Sequence, residues 1–329
     1  MPRHGPAGNT RGRCIMNAAL PPDLPEFVTS PERKKRARTG LLVYFGALVP
    51  LSAVCSSFAI STGNYLWVTV MMFMPAVSSI IARVGLREGM ADISLRLGGR
   101  RGRKALVSGW LLPAGVGFVA YGIGWVTGLT PFTAPSLGLF RQVLPLQEIS
   151  PAITFLVSLL ITMTIVTLYS CPFTLGEELG WRGYMLTRLV DGGLPKPVFL
   201  SGLFWGAWHL PIIVGGLYIQ GPSLPASVLF FMIGVTALGY IFAWLRLSSG
   251  SIWPCVVFHA SWNAVIQATF DRSVTGPGST FWVGEAGILV VLVLAVIAVV
   301  LSRRRWTMIR ELPARGIPVQ EEVLPGGLR

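Results

Sequence analysis

The sequence predicts an all-α fold, a polytopic integral membrane bundle of about eight transmembrane helices. Three observations carry that prediction. Charged residues make up only 12% of the 329 residues and hydrophobic ones 52%, whereas soluble domains carry about 25% charged residues. Uncharged runs of about 20 residues, long enough to cross a bilayer core, recur along the chain. Basic residues cluster beside those runs, as topology signals do. A soluble enzyme of this length would need a charged surface that this chain lacks.

The first run, residues 40–60, follows the basic cluster Arg33, Lys34, Lys35, Arg36 and Arg38. The second covers 65–84, the third 105–125 and the fourth 152–170. The fifth covers 198–219 and the sixth 225–245. The seventh, 252–270, is short and interrupted early by Pro254; the eighth, 283–301, is the most uniformly apolar and leads into Arg303, Arg304 and Arg305. With the N-terminus inside, the inner segments also hold Arg87, Arg96, Arg100, Arg101, Arg103, Lys104, Arg188, Lys196 and Arg246, and the outer loops only Arg141 and Arg272. This asymmetry places both termini in the cytoplasm, in a multi-pass protein of the cell (plasma) membrane, and fits an even span count. Segment 86–104 carries Ile93, Leu95 and Leu97 at helical spacing among charges. It reads equally as an interfacial amphipathic helix or as a solvated loop.

Three domains follow. Residues 1–38 form a Pro/Gly/Arg-rich basic segment without an apolar h-region, expected to be disordered and cytoplasmic. Residues 39–302 form the transmembrane domain, and 303–329 a cytoplasmic tail. The net charge of +13 comes with no nucleic-acid-binding motif, so nucleic acid is excluded as a partner. The charge instead fits contact with the anionic headgroups of the lipid bilayer. Cys14, Cys55, Cys171 and Cys255 form no CxxC and read as small packing residues. No internal repeat argues for an inverted-repeat transporter, and nothing in the chain fixes an oligomeric state.

Chemistry concentrates in three places. In Gly176-Glu177-Glu178-Leu179-Gly180-Trp181-Arg182, Glu178 and Arg182 are one helical turn apart and can pair. Glu177 is rotated by about 100° from Glu178 and points elsewhere, free to handle a proton as a general base. The plainer reading is a pair of acids capping a helix N-terminus, with Cys171-Pro172 and Gly176 marking the break. His209 lies mid-run, two residues before Pro211, and alone reads as an interhelical hydrogen-bonder. His259 and Asn263 share a helix face at i,i+4 and alone read as polar glue. The chain has three histidines, and His4 lies in the leader. The other two follow an adjacent glutamate pair within apolar runs, where a charge costs about 2.5–3.5 kcal/mol on insertion scales. Together they read as one catalytic or metal-binding centre.

Glu-Glu-x-x-x-Arg, aromatic-x-x-x-His and His-x-x-x-Asn, on successive apolar helices, resemble the CPBP intramembrane protease family. This family, also called Abi, includes the CAAX prenyl endopeptidases. The resemblance covers residues 171–270, the presumptive catalytic core; the first four runs match only in hydrophobicity. One departure is Trp205, where the family more often has Phe, although Phe204 is adjacent and an aromatic wall survives the exchange. The resemblance implies a CAAX-type endopeptidase acting near the C-terminus of a membrane-associated or lipidated peptide or protein. It implies Glu177 as the base that activates water, with Glu178 and Arg182 holding and tuning it. His209 would position the water or bind a metal, and His259 and Asn263 would donate to the oxyanion.

Glu177, His209 and His259 could also hold a divalent metal, zinc first, in a His₂Glu site. The same residues serve a metal-free mechanism. The glutamate motif near the inner end of its span implies a cavity with a cytoplasm-facing entrance. Two other readings compete: a non-enzymatic immunity or scaffold protein that retains the fold, and an ion relay, against which stands the lack of acidic residues in the first three runs.

Overall fold

The computed structural model describes residues 31–136, 150–219, 221, 223–303, 307–309 and 321–323. The leader before Pro31, most of the tail and Arg141 lie outside the described residues. A helix carries each of the eight apolar runs, although the eighth run begins at 283 and its helix only at Ile288. The helices are α1 (Pro31–Thr62), α2 (Leu66–Gly85), α3 (Gly99–Thr127), α4 (Pro151–Asp191), α5 (Pro197–Val214) and α6 (Leu224–Ser249). α7 is Trp253–Trp262, continued by the π-helical Asn263–Phe270, and α8 is Ile288–Arg303. The first six are long and apolar enough to cross a membrane, and α8 is a shorter apolar helix. β1 (Thr307–Ile309) and β2 (Glu321–Val323) form a small antiparallel pair after α8.

The fourth run proved much longer than expected. Helix α4 continues unbroken through Pro172 and the glutamate motif to Asp191, 41 residues in all. The acids therefore do not cap a helix start. Two π-helical stretches, Thr162–Val166 and Trp181–Met185, re-register the backbone on either side of the proline. The fifth run was read too long, because the chain leaves the helix at Val214 and turns.

Small residues bring the helices together, as membrane helices require in the absence of a hydrophobic drive between them. A Cβ on Gly202 of α5 would sit 2.7 Å from the Thr236 carbonyl oxygen of α6. One on Gly180 of α4 would sit 2.4 Å from the Pro75 backbone of α2. Any larger residue at either position would push these helix pairs apart.

The charged end of the bundle is not a set of free loops. Arg188 at the end of α4 pairs with Glu88 at 2.8 Å and Asp92 at 2.6 Å. Asp92 also pairs with Arg83 of α2. Arg33 reaches Asp191 at 3.2 Å, and Arg38 Nε donates to the Gly192 carbonyl at 2.9 Å. Helix α1 thus starts at Pro31, inside the segment expected to be disordered. Segment 86–104 forms no amphipathic helix of its own: 99–104 already belong to α3, and 86–98 is a partly exposed connection whose Glu88 and Asp92 clamp α2 to α4. Burial would raise the Asp92 carboxyl, but Arg188 and Arg83 outweigh it and hold the group below the usual carboxylate range. Arg188 and Arg246, expected as topology charges at the surface, are buried instead.

Candidate active site

Glu177, Glu178 and Arg182 lie on α4, His209 on α5, and His259 and Asn263 on α7. The first five are buried, none more than 6% exposed, and hydrogen bonds and ring contacts join them. Arg182 Nη1 donates to Glu178 Oε1 at 2.8 Å, the expected i,i+4 pair. The same oxygen accepts from His259 Nδ1 at 2.9 Å, a contact the spacing did not announce. Glu178 therefore ties α4 to α7.

Trp205 is the residue the sequence undervalued. Its indole Nε1–H donates to Glu177 Oε2 at 3.1 Å, and its backbone carbonyl accepts from His209 Nδ1 at 2.8 Å. Its ring lies under the Arg182 guanidinium, 4.3 Å from the centroid, with Phe242 at 3.6 Å. It also meets the His259 ring edge-on at 5.4 Å. A phenylalanine could supply the ring contacts but not the N–H. The aromatic-x-x-x-His spacing marked the position, and only the indole nitrogen hinted at its polar role.

The backbone of α4 is also held from outside. A π-helical turn displaces carbonyls from their usual i+4 donors, and the turn Trp181–Met185 contains Arg182 itself. Arg246 Nε of α6 donates to the Arg182 carbonyl at 3.2 Å. Arg83 Nη2 of α2 donates to the Gly183 carbonyl at 3.0 Å. Two buried guanidiniums thus fix the turn that carries Arg182.

The hydrogen bonds assign roles to the imidazole nitrogens. A carbonyl only accepts, so His209 carries its proton on Nδ1 and presents Nε2 as an acceptor. The His259 Nδ1–H points at Glu178, leaving Nε2 free. Asn263, half-buried at the start of the π-helical segment, makes no side-chain hydrogen bond among the described residues. Two imidazole nitrogens with the opposite nitrogen anchored, plus a carboxylate, suit zinc by donor chemistry. Among the described residues, however, no three His, Cys, Asp or Glu side chains converge to hold a metal ion. The arrangement therefore does not fit a preformed metal centre.

Towards the far end of the bundle, Tyr218 stacks on His209 at 5.5 Å between ring centroids. Behind it Gln267 Nε2 and Trp262 Nε1 donate to Glu285 Oε1 at 3.0 and 2.7 Å. Burial, helped by the nearby Glu285 charge, pushes the Asp271 carboxyl up to about 7, against the Tyr121 hydroxyl that donates to it.

A helical membrane bundle with a buried glutamate–imidazole–amide centre is the class that fold and site define. Residues 150–265 match the family described as Type II CAAX prenyl endopeptidase Rce1-like, a stretch that contains all six candidate residues. CAAX prenyl protease 2 of Methanococcus maripaludis is 32% identical over 121 residues, covering 34% of this chain and 45% of that protein. The chain thus matches somewhat under half the length of this curated relative. The resemblance seen in the three motifs is upheld over the segment that carries them.

Proposed function

We propose that the chain is an intramembrane endopeptidase of the CAAX type in which Glu177 activates a water molecule. The observation that carries the reading is the pairing of functions on the two glutamates. Glu178 is committed to Arg182 and His259, whereas Glu177 accepts from Trp205 through Oε2 alone and keeps Oε1 for a proton. The matched family and the name of the relative support the same reaction class.

In this mechanism a water is held between Glu177 Oε1 and His209 Nε2, both acceptors, and attacks the scissile carbonyl. Its proton passes to Glu177 as the O–C bond forms. The oxyanion accepts from the Asn263 amide and from an Nε2–H on His259, whose imidazolium charge Glu178 would balance. Stabilisation of this kind is usually the largest single contribution to acyl transfer. Glu177 then returns the proton to the amine as the C–N bond breaks.

No step runs through a metal. Zinc would need the two Nε2 atoms and a Glu177 oxygen about 2.0–2.2 Å from one point. Metal analysis of the purified protein tests that expectation directly. The substrate is a membrane-associated or prenylated peptide, and the protein sits in the cell membrane with both termini cytoplasmic, as its basic residues direct.

The test is cleavage of a farnesylated CAAX peptide by protein reconstituted in liposomes, followed by mass spectrometry. Release of the C-terminal tripeptide by wild type and not by Glu177→Ala supports the reading. Equal release by both overturns it. No release by either, from folded protein, favours the non-enzymatic alternative.

A further inference from the structure

Asn263 differs from the two histidines of the site in how it is held. His209 is anchored to the Trp205 carbonyl and His259 to Glu178, so a hydrogen bond fixes each ring. The Asn263 amide has no such anchor among the described residues, and its direction is set by the backbone that carries it. Asn263 is the first residue of the π-helical segment Asn263–Phe270, a winding that is rare and recurs at functional sites.

Two buried hydroxyls pin this stretch of α7, one on either side of Asn263. Two residues before it, the Ser261 hydroxyl donates to the Trp110 carbonyl of α3 at 2.9 Å. Six residues after it, Thr269 Oγ1 lies 2.9 Å from Thr162 Oγ1 and 3.1 Å from Ser158 Oγ, both on α4. Thr162 gives its own proton to the Ser158 carbonyl at 3.0 Å, so it accepts from Thr269, which in turn accepts from Ser158. Ser261 and Thr269 are fully buried, and their partners Ser158 and Thr162 are buried too.

The α4 end of this clamp is itself a π-helical turn, Thr162–Val166. The Thr167 hydroxyl donates to the Thr162 carbonyl at 2.7 Å, and the Trp110 indole N–H donates to the Met163 carbonyl at 2.6 Å. Trp110 therefore serves both helices, with its indole nitrogen on α4 and its carbonyl on α7. Beside Thr269, the Phe270 ring lies so close to Gly117 of α3 that any Cβ there would collide with it.

We infer that Trp110, Ser261 and Thr269 are positioning residues for Asn263, holding α7 in its π-helical register and so aiming the Asn263 amide at the oxyanion. This rests on the endopeptidase reading, in which Asn263 is an oxyanion donor. A π-helix bonds i to i+5 and so turns less per residue than an α-helix. Rewound as α-helix, residues 263–270 would turn further between Ser261 and Thr269, and both hydroxyl contacts could not be made at once. Trp110 and Thr269 lie outside the matched residues 150–265.

The test removes one hydroxyl at a time from the full chain in proteoliposomes. Misplacing a catalytic group by about 1 Å can cost about 100-fold in rate. Thr269→Val and Ser261→Ala should therefore each lower kcat for a membrane-anchored peptide about 10- to 100-fold, with KM and Tm little changed. Thr269→Ser, which keeps the hydroxyl, should restore turnover. In an Asn263→Ala background Thr269→Val should add no further loss. Wild-type kcat in both folded single variants overturns the inference, and so does an equal loss from Thr269→Val with and without Asn263. Hydrogen exchange measured on the same proteins should be faster over 263–270 in Thr269→Val than in wild type. If wild type cleaves no peptide, it is the protease reading that fails. The exchange rates then still decide the clamp, and unchanged exchange overturns it.

Discussion

Replacing Trp205 with phenylalanine separates what the ring does from what its N–H does. The smaller ring still lies between Arg182 and the two histidines, and the backbone carbonyl at 205 still holds His209 Nδ1. What disappears is the 3.1 Å donation to Glu177 Oε2. A hydrogen bond to a charged acceptor contributes about 1.5–3 kcal/mol. If Glu177 is the base, that bond orients its free oxygen towards water, and its loss appears in turnover. At one decade of rate per about 1.4 kcal/mol, kcat should fall about 10- to 150-fold, with KM little changed because the substrate does not touch the indole nitrogen. The assay is cleavage of a fluorogenic membrane-anchored peptide in proteoliposomes, with Tm measured on the same preparations. Trp205→Ala, which also removes the face under Arg182, should cost a further about 3–5 kcal/mol of stability. Wild-type kcat in a folded Trp205→Phe protein would refute the reasoning, because the hydrogen bond would then be incidental to the base.

Glu177→Gln should keep the fold, since an amide still accepts from Trp205, and should lose all measurable peptide release; circular dichroism and cleavage on one sample check both halves. Arg182→Ala leaves the Glu178 carboxylate buried and short of its cation, so stability should drop by about 3–5 kcal/mol, read as a fall in Tm and in the yield of folded protein. Arg246→Lys keeps the charge but not the geometry that reaches the Arg182 carbonyl, and should lower kcat more than it lowers Tm. Asp92 is held below its ordinary pKa by Arg188 and Arg83. Its contribution to stability is therefore complete above the unfolded value of 3.8 and is lost as pH falls through the lower folded value. Thermal melts across that acid range should show the loss in wild type and not in Asp92→Asn.

Much of the architecture was legible because the bilayer leaves few options. Apolar runs of membrane length have to be helices, and each of the eight runs is on one. The ends were less legible. Hydropathy lost α4 at Ser170 because the glutamate motif is polar, yet the helix carries it onward, pairing Glu178 with Arg182 one turn later and Glu177 with Trp205 of α5. The three motifs named the candidate residues, and spacing along one helix announced the Glu178–Arg182 pair. The Glu178–His259 contact and the donation from Trp205 to Glu177 are matters of how α4, α5 and α7 pack, which spacing does not encode. Arg246 and Arg83 were hidden for a related reason. Arg246 read as a flanking topology charge and Arg83 drew no reading within the second run, and their partners are carbonyls of a π-helical turn that no sequence pattern marked. The tautomers were hidden too, because each imidazole commits one nitrogen to a neighbour, Trp205 or Glu178, and spacing does not encode that choice.

The most direct test of the central claim is a comparison of protein termini in host membranes expressing wild type or Glu177→Ala at matched levels. Proteolysis at this centre predicts new C-termini in membrane-associated proteins with wild type alone, and their sequences would name the substrate. Identical termini in the two membranes, with both proteins folded and abundant, would contradict the assignment of Glu177 as a catalytic base.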